Sequence, residues 1–354
     1  MDSTSQLQHE MMSSDQLGYN LPVSLSTNAM ERRSLTVPAV FTLAIVLTVT
    51  LPLWVAATVI ADGIRLRFRF PLARLVAFGL CWSWLELCGV AAAFGLWLIG
   101  QRGNERAHYA LQRWWAKNLL GALGATCRIT VSAENVQALT PGGALLFVRH
   151  ASLADSLVSA HVIVNLAGLR PRFVLKRELL VDPCLDIVGQ RVPNHFLDRG
   201  TDDSAPELAA LHDLVEHLGP SDIGVIFPEG TRANPSKRAR ALAKIADRDP
   251  ERAERLAGLK HLLPPRPSGA FAMVGGAPQA DVVLAWHIGF EGLDTFGGIL
   301  RALNRGVDPI LFVARRVRAC EVPHDDGFAA WLDEQWLQMD TEVALALAGR
   351  HREE

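Results

Sequence analysis

The chain has 354 residues, enough for one large domain or two small ones with appendages. Of these, 49% are apolar and 20% charged, and the mean hydropathy is positive, which excludes an ordinary, wholly water-exposed globule and points to a part in lipid. A formal net charge of -2 argues against bulk electrostatic binding of nucleic acid, and five cysteines without a Cys-x-x-Cys pair fit reduced thiols rather than a disulfide framework.

Residues 1–35 are rich in Ser, Gln, Met and Asn without an apolar period and are expected to form a flexible tail. Val37 to Ala61 then runs without a charge, long enough to cross a hydrocarbon core of about 30 Å, with Pro52 placed to kink it. A second apolar stretch, Leu75 to Gly100, is interrupted by Glu86. Basic residues lie before the pair (Arg32, Arg33), between the stretches (Arg65, Arg67, Arg69, Arg74) and after them (Arg102, Arg106, Arg113, Lys117). Two spanning helices would therefore break the positive-inside pattern, whereas a hairpin entering one leaflet would not. A membrane-associated hairpin is expected over 36–100 and an α/β domain over 101–354.

Within that domain the spacing predicts helices over Ala110–Leu123, Ser152–Leu166, Ala205–Leu218, Ser236–Leu262 (broken at Pro250) and Phe328–Ala348. Strands are expected at Arg128–Val131, Ala144–Val148, Arg172–Leu175, Ile223–Phe227, Asp281–Trp286 and Ile310–Val317. Strands alternating with helices imply a mostly parallel sheet flanked by helices, preceded by the two-helix membrane hairpin.

The apolar run Leu145–Val148 delivers His150 to the carboxyl end of a strand, where α/β folds place their chemistry. Asp155 satisfies a helix start with Ser152 in capping-box fashion; across the strand-to-helix turn it can equally fold back onto His150 and fix its tautomer. A second strand ends in Phe227-Pro228-Glu229-Gly230-Thr231-Arg232, where Gly230 permits a sharp turn and Arg232 offers a fork suited to phosphate, or to a local ion pair. His212 and His217 do not share a helical face as a metal pair would, and no metal is expected. The charged segment Lys237 to Lys260 reads as an exposed, ion-pair-laced helix, Trp114 and Trp115 as interfacial or core residues, and His287 as structural.

Together these segments resemble the PlsC-like glycerolipid acyltransferase family, which includes the 1-acylglycerol-3-phosphate and other lysophospholipid acyltransferases. The His-x-Ser-x-x-Asp block is matched by His150, Ser152 and Asp155, and the Phe-Pro-Glu-Gly-Thr-Arg block by residues 227–232. A further block is matched by Lys176, Glu178 and Leu179 at its start and by Phe196-Leu197-Asp198-Arg199 at its end. The segments 259–269 and 322–332 are similar to the branch that contains the eukaryotic endoplasmic-reticulum and lysocardiolipin enzymes. Arg149 stands where Asn is usual, and Val282-Val283-Leu284-Ala285 replaces the usual Val-Pro-Val.

The resemblance implies a catalytic pair, His150 and Asp155, and a substrate-binding set, Lys176, Arg199, Glu229, Gly230, Thr231 and Arg232, in which Lys176, Arg199 and Arg232 take the acceptor phosphate. It implies acyl transfer from an acyl thioester to a lysophospholipid hydroxyl, most simply lysophosphatidic acid to phosphatidic acid. The donor would be acyl-CoA or acyl-carrier protein as co-substrate, with no permanently bound cofactor. The expected partners are the lysophospholipid and a phospholipid membrane, with the catalytic domain on the cytoplasmic side and no nucleic acid. Another lysolipid acceptor, such as lysophosphatidylinositol or lysocardiolipin, or a lipid-binding protein without turnover, remain alternatives.

Overall fold

A computed structural model describes residues 28–152, 154–198, 205–291, 293 and 295–353. The first helix, α1, spans Ala29–Val49, capped by Asn28, whose side chain accepts from the Met30 N–H. Residues 29–35 are thus helical where a tail was expected, and residues 1–27 of that expected tail lie outside the described residues. The apolar stretch is not continuous. Pro52, which has no N–H for the ladder, falls in the first turn of a separate helix, α2 (Leu51–Ile64). Then follow α3 (Pro71–Leu98) and α4 (Glu105–Cys127). By length and composition alone, α1 and α3 could each cross a membrane.

The long helix α3 lies along the rest of the protein instead of projecting from it. Near its start, the Arg74 guanidinium donates to the carbonyls of Thr126, Cys127 and Leu303. At its middle, the buried Glu86 carboxylate accepts from Trp115 Nε1 at 2.8 Å and Cys184 N at 3.0 Å. A Cβ on Gly89 would collide with Cys184 Sγ, so glycine allows the two backbones to approach. Near its end, the Ala93 carbonyl accepts from Arg191 at 3.0 Å. Helix α1 is clamped too: Arg32 forms a two-pronged pair with Asp186 at 3.0 and 2.7 Å, and Arg33 and Gln190 add donors to the same residue. Arg32 and Asp186 are both buried, so this expected basic cluster is spent inside the protein.

Downstream come β1 (Val131–Glu134), β2 (Ala144–Val148), α5 (Asp155–His161, prolonged by a π-turn over Val162–Leu166) and β3 (Arg170–Lys176). Next are α6 (Pro183–Ile187), β4 (His195–Leu197), α7 (Ala205–Val215), β5 (Asp222–Ile226), α8 (Pro235–Ala246) and α9 (Pro250–Leu256). The chain closes with α10 (Pro267–Gly276), β6 (Val282–Ile288), α11 (Phe296–Arg305), β7 (Ile310–Val317) and α12 (Phe328–Glu353). The first strand starts later than expected because α4 runs to Cys127 and Arg128 ends it in the left-handed conformation.

Seven strands form one sheet in the order β1-β7-β6-β2-β5-β3-β4, parallel except between β6 and β7. Every residue of β2, β5 and β6 is buried, the continuous apolar run expected of central strands covered on both faces. The period of two sorts them. Leu145 and Phe147 join Leu284, Trp286, Leu332 and Trp336 in one core, whereas Leu146 and Val148 join Val283, Ala285, Val158 and Phe312 in the other.

Replacing Arg32 by Ala strips a charge partner from a buried carboxylate and is expected to cost about 3 kcal/mol, the low end for such a loss because Arg33 remains. A matching fall in unfolding free energy and faster proteolysis within α1 check this; unchanged values in both would show that the clamp is dispensable.

Candidate active site

Strand β2 ends at Val148, and the chain turns through His150, Ala151 and Ser152 before α5 begins at Asp155. The turn is built around that carboxylate. Its Oδ2 accepts from His150 Nδ1 at 2.7 Å and from the Ala151 N–H at 2.6 Å, while Oδ1 accepts from Ser152 Oγ at 2.6 Å. The Ser152 N–H lies 2.9 Å from both oxygens, and Ser152 Oγ accepts from Ala154 N. Ser152 and Asp155 thus make the bonds of the expected helix start, but in the turn ahead of the helix. Asp155 does both things the sequence allows: it organises the helix entry and holds the imidazole.

Burial opposes charge on the fully buried Asp155, but His287 and the bond from His150 override it and hold the carboxyl far below the usual range. For His150 burial prevails. It lowers the imidazole below its ordinary value against the pull of Asp155, with Lys176 and Arg232 lowering it further. The ring is therefore neutral at neutral pH, with Nδ1–H committed to Asp155 and Nε2 left as the basic nitrogen.

The Pro-Glu-Gly-Thr-Arg segment follows β5 beside β2, because those strands pair in register from Ala144–Ile223 to Phe147–Ile226. His150 and Phe227 rings lie 5.2 Å apart. Gly230 has φ 69°, a conformation natural to glycine, and a Cβ there would press on the Arg266 side chain at 3.4 Å. The Glu229 carboxylate points inward: its oxygens accept from His150 N at 2.8 Å and Leu263 N at 2.9 Å. Burial pushes it up to about 8 against those two donors. The expected substrate-binding residue is thus a buried tie between two loops. Thr231 does not line the cavity either; its hydroxyl accepts from Lys237 Nζ at 3.2 Å.

A cavity of about 460 Å³ opens in front of His150, lined also by Ser152, Lys176, Gly230, Arg232 and Arg266. His150, Lys176, Gly230 and Arg232 are therefore brought together, whereas Arg199 lies outside the described residues. Arg266, given no role in the sequence, is a third cation in the wall; its setting between Pro265 and Pro267 is the available signal. Backbone N–H groups of Ala151, Ser152 and Gly230 are already bonded to Asp155 or Phe227 O, so they do not form an anion pocket. A smaller apolar cavity of about 150 Å³, lined by Leu75, Phe78, Leu123 and Leu303, also has Ser152 in its wall. Among the described residues, no group of three His, Cys, Asp or Glu could hold a metal ion.

Residues 128–282 match the family model named Acyltransferase. That match falls on residues that carry this site, and it agrees with the resemblance of the motifs. Among solved structures, the fold is similar to the crystal structure of the 1-acyl-sn-glycerophosphate acyltransferase PlsC from Thermotoga maritima, with a TM-score of 0.51. The likeness covers 77% of this chain and 97% of that one at 14% sequence identity, so the fold is PlsC-like. No curated protein matches the chain.

Because Lys176 and Arg232 repel a proton on His150, replacing either by Met is expected to raise the imidazole toward ~6.5. The acid limb of kcat/KM, expected below that value in the unmodified protein if His150 is the base, should then move to higher pH; a limb that stays or moves lower would contradict this electrostatic order.

Proposed function

We propose that this protein esterifies the free hydroxyl of a lysophospholipid, lysophosphatidic acid first among the candidates, with a fatty acyl group from acyl-CoA or acyl-carrier protein. The observation that carries this reading is an imidazole, oriented by Asp155, facing a cavity whose wall holds Lys176, Arg232 and Arg266. His150 Nε2 takes the acceptor's hydroxyl proton as the oxygen attacks the thioester carbonyl, assistance typically worth ~10²–10⁴ in rate. The tetrahedral intermediate collapses, the C–S bond breaks, and the thiolate leaves with the proton returned from His150. Lys176 and Arg232, with Arg199 by resemblance and Arg266 by position, hold the acceptor phosphate. Arg232 and Arg266 are suited to paired hydrogen bonds with its oxygens. The apolar cavity behind Ser152 suits an acyl chain.

The hairpin is read as entering one leaflet. Helix α3 is tied to the catalytic domain at Arg74, Glu86 and Ala93, the outermost of them about 28 Å apart along its axis. Crossing the bilayer would carry one of these ends about 30 Å from a domain that both contact. Phe41, Leu53, Ile60, Phe68, Phe94 and Trp97 remain exposed, with Arg65 and Arg102 exposed beyond the hairpin's helix ends and Arg106 in the first turn of α4, as a face in acyl chains with arginines among headgroups requires. We infer a catalytic domain on the cytoplasmic side, because the five free cysteines fit a reducing compartment.

His150→Ala is expected to lower kcat by about 10³-fold or more while folding and membrane attachment persist; an unchanged rate would discard the enzyme reading. Across an acceptor panel, Arg232→Ala should raise KM for phosphate-bearing lysolipids and leave neutral acceptors unaffected, and equal effects would remove its phosphate role.

For the hairpin, Arg67→Cys and Asn104→Cys should react with an impermeant maleimide from the same face of sealed vesicles, above the labelling of the unmodified protein. Labelling of the two from opposite faces would show that α3 spans.

A further inference from the structure

Expected to be merely structural, His287 instead stands against the carboxylate on which His150 depends. It is fully buried near the end of β6, and its Nε2 lies 3.2 Å from Asp155 Oδ1. As the ring is oriented neither of its nitrogens completes a hydrogen bond, so the 3.2 Å approach to Oδ1 is the polar contact that Nε2 has among the described residues, and the ring meets Phe290 edge-on at 5.3 Å. The strand period explains its aim: Val283 and Ala285 face the core shared with α5, and His287 is next in that series.

Packing alone would be met there by an aliphatic side chain, as at Val283 and Ala285. Burying an imidazole without a hydrogen bond is costly. Among the described residues the acceptor within reach is Asp155, which selects the tautomer protonated at Nε2.

The other donors to Asp155 — His150, Ala151 and Ser152 — all belong to its own turn, which can shift with the carboxylate as one piece. His287 comes from the sheet. Arg149, the residue before His150, reinforces that link by donating from Nη1 to the His287 carbonyl at 2.5 Å.

We propose that His287 is a positioning residue for acyl transfer, donating from Nε2 to Asp155 Oδ1 and so locking to the sheet the carboxylate that orients His150. The inference rests on the reading of His150 as the base. As His150 takes up a proton, a donor fixed on the far oxygen keeps Asp155 still.

Its test compares kcat, the KM of each substrate and thermal unfolding in His287→Gln, whose amide nitrogen reaches the Nε2 position, and His287→Met, which fills the space without a donor. His287→Gln should stay within about threefold of the unmodified kcat, while His287→Met should lose about tenfold or more with both KM values within about twofold. In an Asp155→Asn background, His287→Met should add less than about twofold, because its effect runs through the missing carboxylate. Equal losses in Gln and Met, a loss confined to KM, or an undiminished loss in that background would overturn the proposal. If His287→Met does not fold, His287→Asn, whose amide stops short of Oδ1, replaces it under the same criteria. Activity surviving in His150→Ala would remove the base itself; inactivity there with full kcat in His287→Met would remove only the part assigned to His287.

Discussion

The carboxylate of Asp155 has no exposed surface, yet it stays ionised, because donors meet both of its oxygens. An unpaired charge at that depth would be costly, so the turn from His150 to Ser152 is shaped to supply what water would have supplied. Helix entry, imidazole orientation and the position of His150 in front of the cavity follow from the same few bonds. Each would be lost with the others.

The sheet brings the pieces of this arrangement together. Pairing of β2 with β5 sets the His150 turn beside the Pro-Glu-Gly segment, and pairing of β2 with β6 delivers His287 from the opposite side. Glu229 joins the first two through backbone bonds to His150 and Leu263, which also fixes the loop leading to Arg266. Neighbouring residues of the Pro-Glu-Gly segment thus divide the work: Gly230 and Arg232 face the cavity, and Glu229 braces its wall from behind.

Strand β2 is legible in the sequence because burial on both faces leaves a plain apolar run, and Ala144–Val148 agrees with the structure at both ends. Ile310–Val317 agrees at both ends too. The pairing of His150 with Asp155 is equally legible, since a strand-to-helix turn leaves a short side chain few places to go. Helices α10 and α11 are not. Gly269, Gly275 and Gly276 in the first, and Gly297 and Gly298 in the second, lower helix propensity and dilute the pattern. The inward turn of Glu229 is hidden for another reason: its partners are backbone N–H groups, both distant in sequence, and no side-chain pattern announces them. His287 leaves a fainter trace, a polar ring in a strand otherwise apolar from Val282 to Ile288.

Fastening α3 along its length has an outcome for how the protein meets its lipid. If the hairpin lies in one leaflet as proposed, the height of His150 above the bilayer is a property of the fold, because the apolar helices are bolted to the α/β body and not hung from it by a tether. On the proposed activity, a lysolipid would have to rise to that fixed level, and the span between its hydroxyl and its phosphate would be gauged by rigid protein. The hairpin is thus a spacer as much as an anchor, and it is not interchangeable with another hydrophobic segment of equal length.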